Sequence, residues 1–372
     1  SNLTPIKGAY DLKDESRAQV VADAFVLPVE SNESFRAVFL ALKNGFKVER
    51  LTDGIELGGV AYHKGSFVVH QGKDNDAWNT IIKDLPFEVG SIIDKREIPA
   101  TKLNLPRIAL VDTWFHDMAA GWTRFIFDTY NIPFTVLRPG EFAKSDLAGK
   151  FDVIIFPDSD KDMLMTGKRK SDGSYYMGSY HPDYVKGIDK KGMEKLMAFS
   201  DAGGIIVSWG RSTSLFEGML KIKHGEKEEE FSLPYRDISA NLGKAGLSIP
   251  GSLMKISLIA DHPLTLGMPE STGVFSRGKP VFQTSVPKFD MDRRVIGSYP
   301  EKDILISGYA SKEELMSNKA AMIWMKKGKG QFVLYGFSPQ FRGSTQASFK
   351  LLFNAILLGG ERQGTFYLPT IL

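Results

Sequence analysis

Eight side chains in this sequence could share one piece of chemistry: Asp112, His116, Trp122, Arg124, Trp209, Arg211, Gln340 and Arg342. Each lies at or just beyond the end of a short apolar run that reads as a β-strand. In an open α/β sheet such strand ends share one rim, and ligands collect in the crevice there. A guanidinium grips a carboxylate through two parallel hydrogen bonds, and an indole offers a flat apolar face. Together they suit an anionic or sugar-like ligand, or a neighbouring domain. The plainer alternative is that the arginines bond to loop carbonyls or to Asp112 and Asp158, and so hold the strand ends together.

Other chemistries find less support. The histidines, His63, His70, His116, His181, His224 and His262, never fall into the H-x-x-E, H-E-x-x-H or H-x-H spacing that holds zinc, so no metal is expected. Ser208 and Ser212 lie where a nucleophile elbow would form, and His116 or His262 could serve as base. A working elbow needs small residues such as G-x-S-x-G around the serine, and here Trp209 and Arg211 flank the turn. An ordinary strand-to-helix turn with Ser212 as a cap is the simpler reading. Neither G-x-x-x-x-G-K-[ST] nor a strand followed by G-x-G-x-x-G occurs, so no nucleotide cofactor is expected.

The composition is that of an ordinary globular protein, with 42% apolar and 24% charged residues. Its 372 residues suit two domains. With 47 basic and 44 acidic residues, net charge +3 and no dense cationic face, nucleic acid is a poor partner. No apolar run is long enough to span a membrane. The absence of cysteine removes disulfides, thiolate metal sites and a cysteine nucleophile together. Ser1-Asn2 reads as an expression remnant, so a leader or upstream domains are expected before it.

The elements that would position these groups follow from periodicity. Residues 1–22 read as a polar arm. Over 23–98 the order is β-α-β-β-α-β, with a first strand at Ala24–Leu27 and a helix capped at Ser31 or Asn32 and stopped by Gly45. That order predicts a ferredoxin-like module. Lys95–Leu105, with Pro99 and then Pro106, reads as a linker. A second domain over 106–360 alternates strands (108–111, 134–137, 153–156, 205–209) with helices (about 118–130, and one capped at Asp189). This predicts a flavodoxin-like doubly wound sheet. Asp158–Lys190, with Tyr175, Tyr176, Tyr180 and Tyr184, reads as a long loop of the kind that is either functional or disordered. Lys221–Glu230 reads as a solvated hairpin tip. Strands at 253–259, 281–284, 295–298, 304–309, 321–325 and 331–335 extend the sheet, a helix over 345–358 closes the domain, and 361–372 is a tail.

Several segments resemble one family: R-I-A-L-V-D followed by G-W-T-R, then F-D-V-I-I-F-P, then H-P-D-Y-V-K-G-I with G-x-x-x-L-x-x-F-x-x-x-G-G. The last is G-F-S-P-Q-F-R-G-S-T-Q-A-S-F-K-L-L-F-N-A. They are similar to the C-terminal region of large bacterial zinc carboxypeptidase-like proteins of the M14 type. That region resembles a class I glutamine amidotransferase-like domain without its cysteine, and the likeness runs from Ala24 to Ile356. It implies an exported protein, periplasmic or at the cell surface, whose zinc ligands belong to an upstream peptidase domain. No residue here matches those ligands. The amidotransferase cysteine would fall near Ser208–Gly210, and its His-Glu pair has no counterpart. The expected role is therefore a non-catalytic accessory region that contacts substrate, peptide, glycan or its own peptidase domain. A serine-based hydrolase and a carbohydrate-binding module are the rivals.

Overall fold

The computed structural model describes residues 22–361 apart from 73–74, 94–96, 115–116, 169–180, 225 and 289. Residues 1–21 of the expected arm and the tail beyond Glu361 lie outside this range.

The first sheet begins with β1 (Ala24–Leu27), an apolar run buried along its whole length. Ser31 then caps α1 (Asn32–Lys43), its hydroxyl accepting from the Glu33 amide at 3.2 Å. Phe35, Val38 and Phe39 form the buried face of this helix, and Gly45, at φ +79°, turns the chain back. There follow β2 (Val48–Leu51), the hairpin β3 (Ile55–Leu57) and β4 (Val60–Tyr62), β5 (Phe67–His70), α2 (Asn75–Ile82), β6 (Gly90–Ile92) and β7 (Ala100–Leu103). The sheet runs β6-β1-β5-β2-β7, every pair antiparallel. With the small hairpin and β7 set aside, that is the ferredoxin-like order expected from the sequence. The linker reading of Lys95–Leu105 is corrected: β7 pairs with β2 as an extra edge strand. Its sequence, Ala-Thr-Lys-Leu, buries only Leu103, so it carries little alternation to read.

The second part of the chain runs β8 (Ile108–Val111), α3 (Met118–Thr129), β9 (Thr135–Leu137), α4 (Leu147–Lys150), β10 (Val153–Phe156), α5 (Lys161–Thr166), α6 (Asp189–Asp201) and β11 (Ile205–Trp209). Next come the hairpin β12 (Met219–His224) and β13 (Lys227–Ser232), β14 (Tyr235–Asp237), α7 (Ser239–Lys244), β15 (Ser252–Leu258), β16 (Ser271–Ser276) and β17 (Phe282–Thr284). The chain ends on β18 (Met291–Ser298), β19 (Leu305–Ser307), β20 (Ala320–Lys327), β21 (Gly330–Tyr335) and α8 (Phe349–Leu357). The stretch expected as one loop after Asp158 thus contains α5, which is capped by Asp160 and ended by Gly167 at φ +71°.

Strands β9-β8-β10-β11-β21 are parallel, in a flavodoxin-like order, and β20, β18, β15 and β16 continue the sheet antiparallel. The fold is therefore α/β: a ferredoxin-like module and a doubly wound sheet with extra strands. β8, β10 and β11 are buried on both faces, as a parallel sheet between helices requires. One face packs Ala109, Ile154 and Ile206 against Met193, Leu196 and Phe199 of α6. The other packs Leu110, Ile155 and Val207 with α3 and α8, and that core continues into Phe35, Phe39 and Phe67 of the first module. Among the described residues no helix is long and apolar enough to cross a membrane.

Candidate functional site at the carboxyl rim of the parallel sheet

Beyond β8 the chain places Asp112, which is buried and accepts from Arg124 Nη1 at 3.2 Å. Arg138, just past β9, sets its Nη1 3.3 Å from the same carboxylate and donates to the carbonyls of Asp112 and Thr113 at 3.0 and 2.7 Å. Its guanidinium also lies 4.0 Å over the ring of Trp114. Tyr184, from the long loop, packs against the same indole at 4.8 Å and 40°. One arginine thus closes the edge of the sheet over the first strand end.

The next strand end carries Asp158, whose Oδ1 accepts from the Arg211 amide at 2.7 Å and from Nε at 3.1 Å. Its Oδ2 accepts from Nη2, also at 3.1 Å. This fork needs Gly210. Its φ is +63°, and a Cβ there would sit 2.4 Å from Asp158 Oδ1. Gly210→Ala should therefore cost about 1–3 kcal/mol from backbone strain and the displaced carboxylate. Thermal melts of the two proteins check this, and an unchanged melting temperature would refute it.

Between these strand ends stands Asp117, the N-cap of α3, which accepts from the Ala120 amide at 3.1 Å. Burial pushes its carboxyl up to about 6, the nearby Asp112 and Asp158 add to the rise, and the amides of Ala120 and Thr113 oppose it. Arg211, held charged by Asp158, feels Asp117 as well, so the three carboxylates and Arg211 share one electrostatic neighbourhood.

Gln340 and Arg342 attach to the same helix from the other side. Gln340 is almost wholly buried and donates through Nε2 to Ala119 O at 3.2 Å and to Thr123 Oγ1 at 3.0 Å. Arg342 adopts a left-handed φ of +46°, with Nη2 3.2 Å from Met118 Sδ and the guanidinium 5.3 Å from the Phe341 ring. Trp122 is half-buried, edge-on to Phe125 at 5.6 Å. Asp112 and Arg124 thus meet on one side of α3 and Gln340 and Arg342 hold its other side, while Arg211 stands two strands away, past β11, bound to Asp158. Trp209 departs from the expectation. It is the last residue of β11, a strand buried on both faces, and at 0% exposure it presents no ring face to solvent. His116 lies outside the described residues, as do Tyr175, Tyr176 and Tyr180.

Both serine positions are buried. Ser212 is fully buried; its Oγ donates to the Pro157 carbonyl and accepts from the Ser159 amide at 2.8 Å. Ser208 lies inside β11, between Phe156 and Leu334 of the flanking strands. His262 sits beyond β15 in the antiparallel wing, buried against Trp324, with Nδ1 accepting from the Leu264 amide at 3.2 Å. Burial lowers it to about 4, with Arg294 adding to the shift, so it stays neutral. Among the described residues no group of three His, Asp or Glu could hold a metal ion. Sequence reading missed Asp117, Trp114 and Arg138. An aspartate just before a helical pattern was the available sign for the first.

No protein-family model matches the sequence, and no curated protein does. Solved structures are similar at low identity. A protein of Bacteroides uniformis described as ThuA-like is 12% identical over 70% of this chain and 94% of that one, with a TM-score of 0.38. A Thermoplasma acidophilum protein described as a GMP synthase component is 12% identical over 69% and 94%, TM-score 0.37. A glutamine amidotransferase from Thermotoga maritima is 10% identical over 70% and 100%, TM-score 0.36. At these identities they bear on no residue's role, and the strand order itself carries the fold assignment.

Proposed function

We propose that this chain is a non-catalytic docking region of a larger, exported zinc-carboxypeptidase-like protein of the M14 type. Its rim would meet a peptide or the parent's peptidase domain. The observation that carries this reading is the burial of both serines at the elbow position: Ser212 is committed to backbone on both sides, and Ser208 is enclosed within β11. The exposed groups of the rim bind rather than react. Arg124 and Arg211 keep 47% and 60% of their side chains in solvent, enough to engage a further carboxylate. An open sugar platform is less well supported, because Arg138 covers one face of Trp114 and Tyr184 tilts against it.

The test uses a short peptide with a free C-terminal carboxylate, followed by intrinsic fluorescence. Binding should perturb Trp114, and Trp114→Phe should remove the change. The double variant Arg124→Ala/Arg211→Ala should weaken binding about tenfold or more while melting within a few degrees of the wild type, since exposed ion pairs contribute only about 0–1 kcal/mol each. Turnover of glutamine or of the peptide that is lost in Ser212→Ala would refute the non-catalytic reading. Absence of peptide binding at any accessible concentration would refute the docking role.

A further inference from the structure

Helix α3 is apolar on both faces. Ala120, Ile126 and Phe127 point into the core with Thr123. Its outward stripe is Met118, Gly121, Trp122, Phe125 and Thr129, spaced three and four apart, with Met118 58% and Phe125 55% exposed. A helix apolar all round is normally covered. Gly121 sits within the stripe, and a Cβ there would meet nothing within 4 Å, so the surface is open to close approach. Along one flank, one turn apart, stand Arg124 and Asp128, both exposed, and Asp128 forms no ion pair among the described residues.

We propose that this face pairs with the same face of a second copy, α3 against α3, antiparallel about a two-fold axis. This goes beyond the docking role of the rim: the apolar stripe is a surface of its own, and the two share only Arg124, which also reaches Asp112. The argument is charge order. A two-fold axis lying in the contact and perpendicular to the helix reverses its direction but keeps its flank. Arg124 then faces Asp128 of the second copy, and Asp128 faces its Arg124. Two ion pairs bracket two Phe125 rings near the axis, so the patch is self-complementary, as an isologous contact requires. In the parallel arrangement the two-fold axis runs along the helix and exchanges the flanks, so Arg124 and Asp128 meet no opposite charge on the partner helix.

Sedimentation equilibrium of the whole chain tests the pairing, with a mass near twice 41.3 kDa expected. Phe125→Asp should give monomer with an unchanged circular dichroism spectrum. Arg124→Asp alone and Asp128→Arg alone each place like charges across the contact, and each should be monomeric. An equimolar mixture of those two variants should recover the dimer mass. Wild type that stays monomeric at its highest soluble concentration would overturn the proposal, including the case where a different protein covers this face. So would a dimer that survives all three substitutions, or a mixture that fails to associate.

Discussion

Arg50→Ala should lower folding stability by about 3–5 kcal/mol, the cost of breaking a buried ion pair from one side. Arg50 is 0% exposed. Its Nε donates to Gly65 O at 3.1 Å, Nη1 to Glu361 Oε1 at 3.0 Å and Nη2 to Asn354 Oδ1 at 2.6 Å. Asn354 in turn donates from Nδ2 to the carbonyls of Leu264 and Leu266 at 3.2 and 2.9 Å. One guanidinium therefore ties β2 of the ferredoxin-like module to the end of α8 and to the loop after β15. Phe35 against Phe353, 5.5 Å between ring centres, continues the same junction as apolar packing. Removing Arg50 leaves Glu361 buried without its cation, and burial already pushes that carboxyl up against the pull of Arg50. The exposed pair Lys64–Asp261 is the control, and Lys64→Ala should cost less than about 1 kcal/mol. Denaturant titrations compare the two. Equal losses would mean that the junction contributes no more than a surface contact.

That junction was invisible in the sequence, because Glu361 and Asn354 lie 311 and 304 residues from Arg50 and nothing local marks the pairing. What was legible came from burial. The runs at 24–27, 108–111, 153–156 and 205–209 are apolar throughout because water reaches neither face, and the structure keeps those bounds. Strands β7 and β14 were missed, as was β16 at the free edge of the wing, where short or polar sequences give little periodicity. Counting a few residues past each strand finds Asp112 beside Arg124 and Arg211 beside Asp158, whereas Gln340 and Arg342 hold the other side of α3. It could not say which way each turns. Trp209 failed because β11 is buried on both faces up to its last residue, so neither parity there reaches solvent.

The pH dependence of stability should carry the mark of Asp117. Its carboxyl rises from an ordinary value of 3.8 to about 6, burial being the main cause. A folded value above the unfolded one means that the folded state binds this proton more tightly. The associated stability is fully present below about 4 and is lost as pH rises through 6. The shift corresponds to about 3 kcal/mol at most, and solvent reaching part of the residue makes that a ceiling. Asp117→Asn keeps an oxygen to accept from the Ala120 amide but cannot ionise. The variant should match the wild type at pH 4 and become progressively more stable relative to it up to pH 7. Taking the difference between the two proteins removes the titration of every other carboxylate that behaves alike in both. Protonation of Asp117 also removes one negative charge beside Asp112 and Asp158, so Arg124 and Arg211 act on a less acidic rim below pH 6. Peptide binding should then strengthen as pH falls from 7 to 5.5 in the wild type and stay level in Asp117→Asn. A stability difference that does not change between pH 4 and 7 would show that the Asp117 carboxyl titrates as an ordinary surface acid.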